Sequence, residues 1–85
     1  NKMKTLTMKE VREVAKEVVD HMTDWAAEVD VDNDSAPVTA KSLWEDLAWS
    51  EEDVIWAGHE DCGFDQEKVE ASLDLIDQEV SRILL

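Results

Sequence analysis

The sequence predicts an all-α fold, a small helical bundle in which two long amphipathic helices, about 8–29 and 66–84, enclose two short helices between them. Three observations carry that prediction. Apolar residues recur at alternating spacings of three and four along both long stretches, the period of one helix face. Capping sequences stand where the helices should begin. Only two glycines and one proline occur in 85 residues, too few for the frequent turns that an all-β chain needs. A chain of this length builds one core, so residues 1–85 form a single acidic helical domain.

Residues 1–6, with Lys2 and Lys4, are expected to be a loose basic leader. Thr7 and Glu10 then have the spacing of a capping box, the Thr hydroxyl accepting from the first turn and the Glu reaching back. Behind them Met8, Val11, Ala15, Val18, Met22, Trp25 and Val29 form one stripe, widened into a core face by Val14, Val19 and Ala26. Asp30 to Val38, closed by the lone Pro37, is the expected interhelical loop. Thr39 or Ser42 caps the second helix, and Ser42 with Glu45 has capping-box spacing; Leu43, Trp44, Leu47 and Ala48 give its apolar face. Ser50 and Asp53 make a third box before a short helix over 51–57, with Gly58 placed as a left-handed C-cap and His59 to Phe64 as a loop. Asp65 caps the last helix, Phe64 is set to staple onto Val69, and Val69, Leu73, Ile76, Val80 and Ile83 continue the stripe without a break.

Charge is the unusual property. Twenty-two acids face eight bases, for a net charge of −14. Residues 1–16 hold five bases against two acids, a net of +3, whereas residues 17–85 hold twenty acids against Lys41, Lys68 and Arg82, a net of −17. Such a surface repels nucleic acid and anionic lipid and attracts basic protein surfaces, so neither direct nucleic-acid binding nor membrane binding is expected. No apolar run is long enough to span a bilayer, and Lys2, Lys4 and Lys9 are not followed by the apolar segment of a signal peptide. The single Cys62 makes no internal disulfide, which fits a reducing cytoplasm, that of a host if the chain is phage-encoded.

No catalytic or cofactor motif emerges. Asp30, Asp32 and Asp34 alternate like the start of an EF-hand loop, but its sixth position holds Ser35 in place of Gly and its twelfth holds Lys41 in place of Glu. His59 and Cys62 are half of a zinc site with no second cysteine, and His21 stands on a distant helix, so no metal is expected. Nucleophilic catalysis at Cys62 lacks an orienting group for its nearest base. Asp34-Ser35 and Ser42-Leu43 bring to mind the acyl carrier proteins, small, acidic and helical, whose modified serine lies in Asp-Ser-Leu. Here Ser35 precedes Ala36-Pro37 and Ser42 follows Lys41, so neither serine completes that motif.

The arrangement of the acids is more informative. Glu10, Glu13, Glu17, Asp20, Asp24 and Glu28 recur along the first helix, and Glu67, Glu70, Asp74 and Asp77 along the last. Helical rise places successive members roughly 5 Å apart, comparable with the steps of a phosphate backbone at about 3.4 Å of axis per strand. Ordinary solvent-facing helices interleave Lys or Arg at four-residue spacing, and like charges there cost a few tenths of a kcal/mol per pair. Solubility in high salt would also favour acids. Four tryptophans are many for 85 residues. The core is the default place for each, Trp25 above all, but the short helices cannot each bury a whole indole at Trp44, Trp49 and Trp56, so one or more of these is a candidate anchor.

In size, charge and helix content the chain resembles phage-encoded inhibitors of restriction, CRISPR and other DNA-handling machinery. The likeness is one of type, without a shared motif; it is the acidic rows that lead to the expectation of a non-enzymatic DNA mimic whose partner is a basic nucleic-acid-binding protein. The expected contact residues are Glu17, Asp20, Asp24, Glu28, Asp30, Asp32, Asp34, Glu45, Asp46, Glu51 and Glu52, with Trp44 and Trp49 as anchors. The alternative is an immunity-like or transcription-regulator-binding module that covers a basic site without copying DNA.

Overall fold

The computed structural model describes residues 5–31, 38–45 and 50–84, and among them the chain is helical with no strand. Helix α1 spans Met8–Val31, α2 Ala40–Glu45, α3 Glu51–Trp56, α4 Gln66–Ala71 and α5 Leu73–Leu84, and a π-helical turn, Ala57–Asp61, continues α3 without interruption. The long α1 packs along α5 and also meets α2 and the π turn. Its inward stripe is Val11, Val14, Ala15, Val18, Met22 and Ala26, closing against Val54, Ala57, Val69, Ile76 and Val80. Each large aliphatic side chain taken fully out of water contributes about 1.5–3 kcal/mol, so this seam is the main source of stability. Two residues expected on the stripe lie at its margin, Met8 at 47% exposure and Trp25 at 38%. Met8 is the first helical residue, with no turn before it to pack beneath.

The caps follow the sequence closely. The Thr7 N–H donates to Glu10 Oε1 at 2.9 Å and the Glu10 N–H to Thr7 Oγ1 at 3.2 Å. Thr39, not Ser42, caps α2: the Ser42 N–H donates to Thr39 Oγ1 at 3.1 Å, and Ser42 Oγ accepts from the Thr39 N–H at 3.0 Å. Ser42 therefore fills the third helical position, and the Ser42–Glu45 spacing is incidental. Ser50 and Asp53 form the third box, and Asp65 Oδ2 accepts from the Lys68 N–H at 3.2 Å.

Four expectations about the elements and their bounds are corrected by the structure. The leader is not loose throughout: Leu6 is 3% exposed and its N–H donates to the buried Ser72 Oγ at 2.8 Å; residues 1–4 lie outside the described residues. The final helix is not continuous from 66 to 84. It breaks at Ser72, whose Oγ donates to the Lys68 carbonyl at 2.7 Å while its N–H bonds the Val69 carbonyl at 3.0 Å, so the turn tightens and bends. Gly58 is not a left-handed cap, and His59 to Asp61 of the expected loop belong to the π turn, which leaves Cys62 to Phe64 outside a helix. Gly58 is buried inside the π turn, where a Cβ would lie 2.8 and 2.9 Å from the two γ-methyls of Val69. The left-handed glycine is Gly63, with φ of 75°, which lets the chain leave the π turn for the Asp65 cap. Helix α1 runs to Val31, two residues into the stretch expected as loop, and residues 32–37 lie outside the described residues.

Candidate functional site

The acids expected to bind a partner divide into distinct groups. Asp20, Asp24 and Glu28, at four-residue intervals on α1, are all exposed and form a row down its outer side. Glu17 does not belong to that row in the same sense; it is half-buried and turned towards His21. Glu45 is exposed at the end of α2, and Glu51 and Glu52 are exposed in the first turn of α3. Asp30 falls in the last turn of α1, while Asp32, Asp34, Asp46 and Trp49 lie outside the described residues.

Trp44 and Glu51 meet at a surface cavity of about 250 Å³, whose apolar wall is Trp44, Val54 and Leu73 and whose rim carries Glu51, Asp74 and Asp77. The indole is only partly buried, and its Nε1–H donates to Ser81 Oγ at 3.2 Å, which fixes the ring plane. An apolar wall beneath three carboxylates is a receptacle for a side chain with an aliphatic stem and a cationic head. Asp74 and Asp77 were recognised in the sequence only as members of a helical row. Their convergence with Trp44 and Glu51 depends on how α3 crosses α5, which no local pattern records.

Among the described residues the ion pairs made by Lys or Arg converge on one acid. Glu79 on α5 is buried, 7% exposed, and accepts from Arg82 Nε at 2.9 Å and from Arg82 Nη2, with Arg12 Nε of α1 at 3.9 Å. The Arg82 hydrogen bonds hold its carboxyl below the usual carboxylate range, with the charges of Arg82 and Arg12 adding to the effect against the cost of burial. Both arginines of the chain thus serve a single glutamate. Among the described residues no lysine forms an ion pair with Asp20, Asp24, Glu28, Glu51, Glu52, Asp74 or Asp77.

A second grouping overturns one sequence inference. His21, taken as too distant from the 59–62 segment to share a site with it, lies against that segment: its Nε2 is 2.5 Å from Asp61 Oδ2 and 3.8 Å from Glu17 Oε1. The π turn is the cause. Its wide hydrogen-bond ring, with the Cys62 N–H donating to the Ala57 carbonyl at 3.1 Å, carries Asp61 back onto α1. Trp56, 53% exposed, meets the imidazole edge-on, with ring centroids 6.0 Å apart at 69°. His59 is separate, its Nδ1 2.8 Å from the Phe64 carbonyl oxygen. Neighbouring Cys62 is half-buried, and burial together with the charges of Glu17, Glu13 and Asp61 pushes its thiol up to about 11, the opposite of an activated nucleophile.

Among the described residues no helix is long and apolar enough to cross a membrane. Compared with protein families, curated proteins and solved structures, the chain matches none of them.

Proposed function

We propose that the chain is a non-enzymatic acidic binding protein, of the phage-inhibitor type, that presents carboxylates to the basic surface of a DNA- or RNA-binding protein such as a CRISPR or restriction effector and blocks it. The observation that carries this reading is the exposed row Asp20, Asp24 and Glu28, which forms no ion pair with a base among the described residues, while both arginines lie at Glu79. A charged face kept for stability would interleave bases with its acids and pair them, whereas from Asp20 to Glu28 this row holds none. This one leaves Asp20, Asp24 and Glu28 in register at about 6 Å per four residues, nearly two axial steps of a phosphate strand. Electrostatic steering brings the partner in, and the cavity beside Trp44 takes one of its Lys or Arg side chains between the indole and the carboxylates of Glu51, Asp74 and Asp77.

The test is capture of partners from a bacterial lysate on the immobilised full chain at low salt, elution on a salt gradient, and competition of the eluted protein against labelled DNA or RNA. The expected result is elution at moderate salt and displacement of nucleic acid at stoichiometric amounts of the chain. A partner that holds the chain and nucleic acid together, or binding indifferent to ionic strength, overturns the proposal.

A further inference from the structure

We propose that Glu17, His21 and Asp61 form a binding site for one divalent transition-metal ion, with Zn²⁺ the best fit, at the junction of α1 and the π turn. Donor atoms of the three side chains lie within 4.8 Å of one another. Two of them, Glu17 and His21, are one helical turn apart on α1 and so project from the same side, the i, i+4 arrangement in which a helix supplies two ligands to one ion. The third arrives from a separate element, forty residues along the chain.

The distances suit a small cation. Tetrahedral zinc, with bonds near 2.0–2.2 Å, sets its ligand atoms about 3.3 Å apart. From 3.8 Å, Glu17 Oε1 must close on Nε2 by roughly half an ångström, and from 2.5 Å, Asp61 Oδ2 must open by a little under one. All three side chains are partly exposed, at 39% for His21, 42% for Glu17 and 27% for Asp61, so rotations about their own bonds supply those shifts. The ion would replace the direct contact between the imidazole Nε2 and Asp61 Oδ2. Two carboxylates and an imidazole balance a dication, and the partial exposure leaves a fourth position for water.

The donor set also selects the metal. Carboxylates alone favour calcium or magnesium, whereas an imidazole shifts preference towards zinc and its neighbours in the first transition row. The surroundings hold the donors in place. Trp56 packs edge-on against the imidazole, and the close approach of Gly58 to Val69 holds the π turn that delivers Asp61. π-Helical turns recur at functional sites because the extra residue redirects a side chain that regular helix would point elsewhere.

The experiment is calorimetric titration of the EDTA-treated, dialysed full chain with ZnCl₂, with Co²⁺ absorption as an independent readout of coordination. The wild type is expected to bind one zinc ion per chain, and Co²⁺ to give visible bands of low-symmetry coordination. His21→Gln and Glu17→Gln should each weaken zinc at least tenfold with the helical circular dichroism retained. His59→Gln and the pair Asp20→Asn/Asp24→Asn should leave the affinity within twofold. Several weak ions per chain that ignore the His21 substitution, equal loss in the control variants, or no binding at millimolar zinc overturns the site.

Discussion

Replacing Gly58 with alanine tests the central packing contact of the π turn. The new Cβ would be 2.8 Å from Val69 Cγ1, 2.9 Å from Cγ2 and 3.4 Å from Val14 Cγ2, against an ordinary carbon–carbon contact of about 3.5–4.0 Å. Both γ-methyls of Val69 face the glycine, and a β-branched side chain has one strongly preferred rotamer in a helix, so no cheap rotation relieves the overlap. The backbone of α4 must move instead, which costs about 1–3 kcal/mol as overpacking, offset by about 1 kcal/mol of improved helix propensity. The expected net loss is about 0–2 kcal/mol, a fall in Tm of up to roughly 15 °C for a domain of this size. Urea denaturation followed by circular dichroism measures it, in a cycle with Val69→Ala, which alone should cost about 2 kcal/mol. The double variant should be more stable than the sum of the single losses predicts by at least about 1 kcal/mol, because the alanine fills space that the valine vacates. A left-handed glycine cap would also suffer from alanine, but without coupling to position 69. Additivity within about 0.5 kcal/mol would therefore refute the close-approach explanation.

Further outcomes follow from the same contacts. Ser72→Ala leaves the buried Leu6 N–H without its acceptor and should cost about 1–2 kcal/mol, read from the urea midpoint. The Glu79 carboxyl has a folded pKa below its unfolded value, so its contribution to stability is complete above the ordinary carboxylate range and is lost as pH falls through the lowered value. Accordingly the acid limb of the wild-type Tm curve should be steeper than that of Glu79→Gln, and parallel limbs would refute the assignment. With its thiol at about 11, Cys62 should react with iodoacetamide at a rate that still climbs close to tenfold per pH unit at pH 9.5; a plateau near pH 8.5 would contradict the raised value. Asp20→Asn/Asp24→Asn should raise stability by a few tenths of a kcal/mol through relief of like-charge repulsion while weakening partner capture, a trade-off that a purely solubilising role does not produce.

What the sequence made legible was local. The three-four spacing located α1, and the hydroxyl–carboxylate pairs Thr7/Glu10 and Ser50/Asp53 marked helix starts because those bonds close within three residues. The features it hid depend on distant partners. Ser72 looks like an ordinary polar residue within a helical stripe until Leu6, 66 positions earlier, claims its hydroxyl. Gly58 carries the same local signal whether it caps a helix or admits a neighbouring valine, and only the contact with Val69 separates the two. At the candidate sites, the row Asp20, Asp24 and Glu28 was readable from spacing alone. The pairing of His21 with Asp61, and of Trp44 with Asp74 and Asp77, required the π turn and the crossing of α3 over α5. Tryptophan identity did not reveal burial either: Trp25, on the apolar stripe, remains 38% exposed at its edge.

The bond from the Leu6 N–H to Ser72 Oγ has a consequence for how opening of the molecule can be observed. An amide two residues ahead of a helix would ordinarily exchange its hydrogen with solvent by local fraying, at almost no free-energy cost. This one is buried and anchored to the bend between α4 and α5, so exchange requires the segment before α1 to separate from that bend. Its protection factor is consequently a gauge of cooperativity. If it equals that of the Val14 and Val18 amides, the two sides of the domain open as one unit; if it is lower, the bend releases first and the core of α1 outlasts it.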